Sequence, residues 1–176
     1  TGQGAPPEKT EELHMNTLSA RLLIPAIALI VIAAPPVIAE MDVNGMIKYR
    51  QSVMKALAGH TGAVNRLVRG QVPLMDQLEM HATAARDIAG TISTLFPADS
   101  IPPDAEFAGA TVATESLPAI SEKPEEFEKA AQETIDATET LLKAVQAGNQ
   151  EELPAAFKQV GESCKGCHKK FRKKKE

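Results

Sequence analysis

The sequence predicts an all-α protein, an antiparallel four-helix bundle with one long crossing loop. Four segments repeat apolar residues mostly in steps of three and four, which is the period of an amphipathic helix. Two of the links between these segments are short and one is long, a pattern typical of helix bundles. No segment alternates polar and apolar residues over the length of a strand.

The first predicted helix covers residues 42–68. Asp42 or Asn44 can cap its start, and Gly70 with Pro73 ends it. Its apolar positions are spaced by seven, three, seven and four residues, so they lie on one side of a helix. They are Ile47, Met54, Leu57, Val64 and Val68.

The second predicted helix covers residues 74–95, with Pro73 suited to its first turn and Pro97 as its stop. Residues 96–123 show no sustained period and are rich in proline, so we expect a long crossing loop rather than a buried element. The stripe of the second helix is Leu74, Leu78, Ala82, Ala85, Ile88, Ile92 and Leu95.

The third predicted helix begins at Pro124, with Ser121 as a candidate cap and three glutamates in its first turn, and it ends at Gly148. Asn149 and Glu152 resemble a capping box that starts the fourth helix. The stripe of the third helix is Phe127, Ala131, Ile135, Thr138, Leu142 and Val145, and that of the fourth is Leu153, Phe157, Val160, Cys164, Cys167 and Phe171.

The fourth helix carries the pattern Cys-x-x-Cys-His at residues 164–168, which is the attachment pattern of a c-type haem. Cys164 and Cys167 lie on one face of a helix, so both thiols can add to the vinyl groups of one porphyrin edge. His168, four residues after Cys164, can reach the iron as the proximal ligand. The sequence therefore predicts one haem c per chain, attached covalently near the C-terminus and facing the core.

Three other interpretations of the two cysteines are weaker. A thioredoxin-like pair lies at a helix N-terminus after a strand, whereas this pair lies late in a helical pattern. A structural disulfide would leave the adjacent histidine without a role. A zinc site needs about four ligands, and the chain has no second cysteine pair. Its other histidines are His14, His60 and His81, of which the last two are interpreted as surface or packing residues.

The start of the chain predicts export. Residues 1–14 are polar, lack a core period and look like upstream, non-native sequence. Residues 15–39 combine Arg21, an apolar run and small or branched residues before Ala39, which indicates a signal peptide. The alternative, an uncleaved membrane anchor, is disfavoured because the run is short and interrupted by prolines. Residues 40–176 would then form a periplasmic domain that does not span a membrane.

Charge excludes one class of partner. The formal net charge is −4, and it is −3 for residues 40–176, so no nucleic-acid partner is indicated. Residues 173–175 are three lysines that suit the negative end of a helix dipole. A sharper interpretation makes them a docking patch for an acidic redox partner protein.

Three stretches together resemble the cytochrome c′ family of class II c-type cytochromes. They are Lys-Tyr-Arg-Gln-Ser-Val-Met at 48–54, Gly-Gln-Val-Pro at 70–73, and Val-Gly-Glu-Ser-Cys-Lys-Gly-Cys-His-Lys-Lys-Phe-Arg at 160–172. The resemblance covers nearly all of residues 42–172 and implies a four-helix bundle. One departure is Ile120-Ser121, where many relatives have Ile-Trp.

The resemblance places Met54 opposite His168. Relatives with Met there resemble Met/His-ligated, low-spin carriers of single electrons that cycle between Fe(III) and Fe(II), and this is the function the sequence favours. Relatives with Leu or Phe there are five-coordinate and bind NO or CO, which is the alternative. Met54 can also be a packing residue. Four other methionines compete for the position: Met41, Met46, Met75 and Met80.

The resemblance also assigns two arginines. It implies that Arg50 meets a haem propionate, for which a guanidinium is well suited. Arg172, four residues after His168, would do the same on the proximal side or shield that side. Relatives form homodimers through their first two helices, which these stripes neither require nor exclude. An enzymatic function such as peroxidase is the weakest interpretation, because no distal His and Arg pair can be placed opposite His168.

Overall fold

The computed structural model describes Thr1 and residues 42–174, and the described part is a four-helix bundle. Apart from Thr1, the predicted upstream segment (residues 1–14) and the predicted signal peptide (residues 15–39) lie outside the described residues. The helices are α1 (Val43–Val68), α2 (Leu78–Ala89), α3 (Asp104–Phe107), α4 (Ala119–Glu122), α5 (Pro124–Gln146) and α6 (Leu153–Phe171), with 3-10 turns at Met75–Gln77, Ile92–Leu95 and Ala98–Ser100.

The four long helices α1, α2, α5 and α6 confirm the predicted fold class. α1 packs on α2, α2 on α5 and α5 on α6, whereas α1 touches α6 at few points. Among the described residues no strand occurs, and the sole β-type pairing joins Ser116 to Arg172. Within the same range, none of the helices has the length and apolar content needed to cross a bilayer.

Two large apolar clusters fill the bundle, and a third, smaller one joins α1 to the crossing segment through Val43, Ile47 and Ala105. The turn-end cluster lies near the two short links and includes Val64, Leu67, Leu78, Leu141, Leu153 and Val160. The crossing-end cluster lies where residues 96–123 cross the bundle and includes Leu57, Ala85, Ile101, Ile120, Phe127 and Phe171. Burial of such side chains is the main force that holds the helices together.

The two short links follow glycines in the left-handed region, as the sequence predicts. Gly70 has φ 64° and Gly148 has φ 65°. The amide after each glycine bonds back to a carbonyl in the last helical turn, Gln71 N to Arg66 O at 2.9 Å and Asn149 N to Ala144 O at 3.1 Å. This is a Schellman ending, which glycine adopts at no steric cost.

The second helix is shorter than the predicted 74–95, because its ends become 3-10 turns. Gly90 follows the last α-helical residue, and glycine is a poor helix former. Beyond it, the hydroxyl of Thr91 donates to Ile88 O and that of Thr94 to Thr91 O, each at 2.8 Å. Such local bonds compete with the helical ladder.

The expected caps are wrong in two places. The capping box of Asn149 and Glu152 does not form, since Glu152 is itself the N-cap of α6 and no side chain bonds there. Ser121 lies inside α4 and does not cap α5, which begins at Pro124 after the N-cap Lys123. In both helices proline occupies the first turn, where it has no amide to leave unpaired.

The crossing segment, residues 96–123, is partly buried, contrary to expectation. Ser100 and Ile101 are fully buried, and Ala105 is 1% exposed. Short helical turns pair the backbone groups in this segment, so it can enter the core despite its prolines. Its backbone bonds include Ile101 N to Ala98 O and Ala105 N to Ile101 O, both 2.9 Å.

Candidate haem site

α6 places both cysteines against the core. Cys164 packs on the turn-end cluster and Cys167 on the crossing-end cluster, and each is half-buried with a free thiol. The arrangement follows from the stripe, because Val160 and Phe171 on the same face are buried. The two thiols therefore lie on the side of α6 that faces the other helices.

The environment keeps both thiols protonated. Burial raises the pKa of Cys164, and burial with the nearby Cys164 and Glu133 raises the pKa of Cys167 to about 11. The thiolate is the form that exchanges with disulfides. Neutral thiols at this position therefore resist oxidation while keeping the hydrogen that thioether formation transfers to a vinyl carbon.

His168 lies at the edge of the same helix. It borders a surface depression of about 590 Å³. Partial desolvation and the Arg172 cation lower the pKa of His168, while the Glu115 carboxylate raises it. A lowered pKa favours the neutral imidazole, which is the form that binds a metal. The remaining residues around the depression are Lys165, Lys169, Arg172, Lys173 and Lys174.

The end of α6 is tied to the crossing segment. Leu117 N donates to Phe171 O at 3.0 Å, and Lys173 N donates to Glu115 O at 2.7 Å. Arg172 Nε donates to the Glu115 carboxylate at 2.6 Å. Arg172 thus lies beside His168, and its shielding or propionate role stays a prediction.

We expect the Arg172–Glu115 ion pair to contribute little to stability. The side chains are 42% and 43% exposed, and ion pairs this accessible to solvent are worth up to about 1 kcal/mol. Arg172→Met should therefore lower the free energy of unfolding by about 1 kcal/mol or less. Urea unfolding against Lys169→Met, an exposed neighbour, measures this. A decrease in the free energy of unfolding several times larger than this would mean that Arg172 makes a further stabilising contact besides the ion pair with Glu115.

Arg50 is the most buried charged residue of the described chain, at 3% exposure. Its guanidinium donates to Leu95 O at 3.3 Å, to the hydroxyl of Ser100 at 2.7 Å and to Ser100 O at 3.1 Å. It also donates to Thr114 Oγ1 at 3.2 Å and lies 4.9 Å from the ring centre of Phe96. Burial lowers the pKa of Arg50. The structure thus bonds Arg50 to the crossing segment, and its propionate contact stays a prediction.

Met54 occupies the face of α1 that packs on the crossing-end cluster, the cluster that also receives Cys167. Two of the competing methionines, Met75 and Met80, are exposed by 41% and 53%, and neither belongs to this cluster. Met41 lies outside the described residues. Met54 is thus the described methionine that packs on the same cluster as Cys167. Iron ligation by Met54 stays a prediction.

The sequence does not single out the residues that hold the two arginines. Ser100, Thr114 and Glu115 lie between prolines in a segment without a period, and each meets its arginine over a separation of 50 to 64 residues. The sequence did contain one indication that Arg50 is buried. Arg50 lies three residues after the buried Ile47, on the same face of α1.

The donor set fits a c-type haem. Two free thiols three residues apart precede an imidazole on a helix that faces two apolar clusters. Such thiols tether the porphyrin edge, and the imidazole supplies an axial ligand. In the part of the chain that the structure describes, no three His, Cys, Asp or Glu side chains form a group that could hold a metal ion by themselves.

Comparisons with known proteins identify the same family across most of the described chain. The sequence model of the family described as Cytochrome C′ matches residues 45–172. A cytochrome c′ of Alcaligenes xylosoxydans xylosoxydans is 35% identical over 129 residues, covering 73% of this chain and 94% of that protein. A cytochrome c-556 of Agrobacterium tumefaciens (strain II Chrys) is 35% identical over 137 residues, covering 74% and 99%.

A solved structure extends the likeness to three dimensions. The nitric oxide complex of a mutant of cytochrome c prime from Alcaligenes xylosoxidans matches with a TM-score of 0.65 at 29% identity. The match covers 77% of this chain and 100% of that one. The helices described above and the helices of that structure therefore share one arrangement.

Proposed function

The chain belongs to the cytochrome c′ family, and from this membership we propose that it binds a small gas such as NO at its haem. One haem c is attached covalently per chain, as in its homologues. The observation that carries the proposal is the match to a structure solved as a nitric oxide complex, combined with the attachment motif on α6. When bound, the haem would supply an iron that can take a small gas molecule as a ligand.

The residues of the chain have distinct tasks in this proposal. Cys164 and Cys167 hold the porphyrin by two thioether bonds, each formed when an S–H bond adds across a vinyl group. His168 supplies the proximal nitrogen. Arg50 on α1 and Arg172 at the end of α6 would meet propionates. No catalytic step is proposed.

The proposed location is the periplasm. Residues 15–39 support export as a signal peptide, and residues 40–176 would be the mature domain. Covalent haem attachment by two thioethers fits an exported protein, in which free thiols would otherwise tend to form disulfides. Mass spectrometry of the exported protein checks whether cleavage follows Ala39.

The second candidate function is single-electron transfer with redox partner proteins. Met54 favours it, because this side chain packs on the same cluster as Cys167. A thioether ligand raises the reduction potential of a haem, and a filled axial position excludes gases. The sequence alone favours this function, whereas the solved nitric oxide complexes of similar proteins give more support to gas binding.

The absorption spectrum with and without CO separates the two functions. For gas binding we expect the ferrous protein to be high-spin and to shift at once when CO is added. Sharp low-spin bands that CO leaves unchanged would contradict gas binding and support the electron carrier with Met54 and His168 as axial ligands.

Met54→Leu tests the axial ligand directly. If Met54 binds the iron, the variant should change from low-spin to five-coordinate and begin to bind CO, because leucine has no donor atom. If Met54 only packs, the spectrum should stay as it was. Met46→Leu is the matched control, since Met46 is also half-buried on α1 but is not in the crossing-end cluster. An equal change in both variants would point to a packing effect and not to ligation.

A further inference from the structure

Two histidines meet on the outer pair of helices, away from the haem motif. His60 on α1 and His81 on α2 bring their Nδ1 atoms to 3.0 Å. Their ring centres are 5.2 Å apart and the ring planes are inclined by 52°. The two residues lie at nearly equal distances on either side of Gly70 and Gln71, so the antiparallel hairpin itself pairs them. Both side chains are half-buried and thus open to solvent on one side.

The hydrogen bond between these nitrogens uses a single shared proton. One Nδ1 donates its hydrogen, and the other accepts it with its lone pair. A metal ion can replace the shared proton, because neutral imidazole nitrogen is a common metal ligand. The ring that donated then carries its hydrogen on Nε2, so two neutral imidazoles can bind the ion with no net release of a proton.

The separation of the nitrogens selects a class of ion. Metal–imidazole bonds are typically 2.0–2.1 Å long, so two nitrogens 3.0 Å apart would subtend about 91–97° at one ion. Adjacent positions of a square-planar or tetragonal site are 90° apart, the geometry that Cu(II) and Ni(II) prefer. A tetrahedral zinc site would need the nitrogens about 3.3–3.4 Å apart.

We propose that His60 and His81 form a two-imidazole site for a divalent transition-metal ion, of which Cu(II) fits best. The two nitrogens fill neighbouring positions of the coordination plane, and water fills the positions on the open side. Cu(II) is also the ion that nitrogen sites bind most tightly among the divalent first-row metals. The ion would join α1 to α2 in addition to the packing of the two helices. This inference does not depend on the proposed gas-binding function.

Calorimetric titration of the haem-loaded full chain with Cu(II) tests the proposal. The haem-loaded form is used because its cysteines are consumed by the thioethers and cannot bind copper. We expect one site per chain, with affinity weakened at least tenfold in His60→Gln and equally in His81→Gln. Bound Cu(II) should also raise the thermal unfolding midpoint of the unmodified chain, and this rise should vanish in both variants.

Lys55→Gln is the matched control, because Lys55 is exposed on α1, the same helix that carries His60. It should leave Cu(II) affinity unchanged. Unaltered affinity in His60→Gln or His81→Gln, or no Cu(II) binding by the unmodified chain, would overturn the proposal. Zn(II) binding as tight as Cu(II) binding would overturn the assignment to a square-planar ion. The haem spectrum and helical circular dichroism of each variant show that a lost site is not a lost fold.

Discussion

A chain that carries both Cys164→Ser and Cys167→Ser should release all of its haem in acidified acetone, whereas the unmodified chain should release none. Serine hydroxyls do not add to vinyl groups as thiols do, so no covalent bond to the porphyrin can form. On a denaturing gel the haem stain should be absent, and the polypeptide should have the mass calculated from sequence alone. Each single variant should keep one thioether and stay stained.

Ser163→Ala provides the control for this effect. Ser163 lies next to Cys164 and is also half-buried, with its hydroxyl bonded to Val160 O at 2.9 Å within the helix. Its removal should leave haem attachment complete. Persistent haem staining of the double variant would show that the porphyrin is attached elsewhere, and that the Cys-x-x-Cys-His motif is not the attachment site.

Arg50→Met should lower the free energy of unfolding by about 3 kcal/mol and the unfolding midpoint by roughly 10 °C. The loss arises because the carbonyls of Leu95 and Ser100, which accept from the guanidinium, lose their charged donor inside the protein. A buried acceptor without a partner costs about 1–3 kcal/mol. The cost at the Ser100 hydroxyl is smaller, because this group keeps its hydrogen bond to Pro97 O at 2.8 Å.

Thermal unfolding of Arg50→Met beside Lys48→Met isolates this burial effect. Lys48 lies on the same helix but is exposed, so its replacement should change stability by less than about 0.5 kcal/mol. Arg50→Lys keeps the charge and loses the planar fork, so it should fall between the two. A stability of Arg50→Met equal to that of Lys48→Met would mean that Arg50 serves the haem alone.

The fold was predictable where the sequence is periodic. The stripe through Ile47 and Leu57 locates α1, and Gly148 marks the end of α5, because both signals act within one or two helical turns. The early end of α2 was not predictable from the stripe, since Ile92 and Leu95 continue it. Hydroxyl bonds of Thr91 and Thr94 decide that boundary, and they have no counterpart in apolar spacing.

The site residues also differ in how far the sequence predicts their positions. Cys164, Cys167 and His168 lie within five residues, so their relative positions follow from helix geometry alone. The partners of Arg50 in the crossing segment, Ser100 and Thr114, lie 50 and 64 residues away, where the sequence has no period. Their positions depend on how the crossing segment folds over α1, which no local rule gives. Hence the attachment motif was predictable and the partners of Arg50 were not.

The crossing segment is bonded to α1 at several places along its length, including Ser100, Ala113 and Thr114, and, among the described residues, to α6 only near its end. Near its start, Ser100 is bonded to the buried Arg50 of α1, and near its end Glu115 is bonded to the half-exposed Arg172 of α6. Local opening proceeds where burial is least. The segment should therefore detach from α6 first, and the amide hydrogens of Leu117 and Lys173 should exchange with solvent well before that of Ile101. Because α1 touches α6 at few points while α5 packs along it, such detachment leaves the end of α6 that carries His168 held mainly by α5, so the frequency of this opening sets how often that end of α6 is released from the crossing segment.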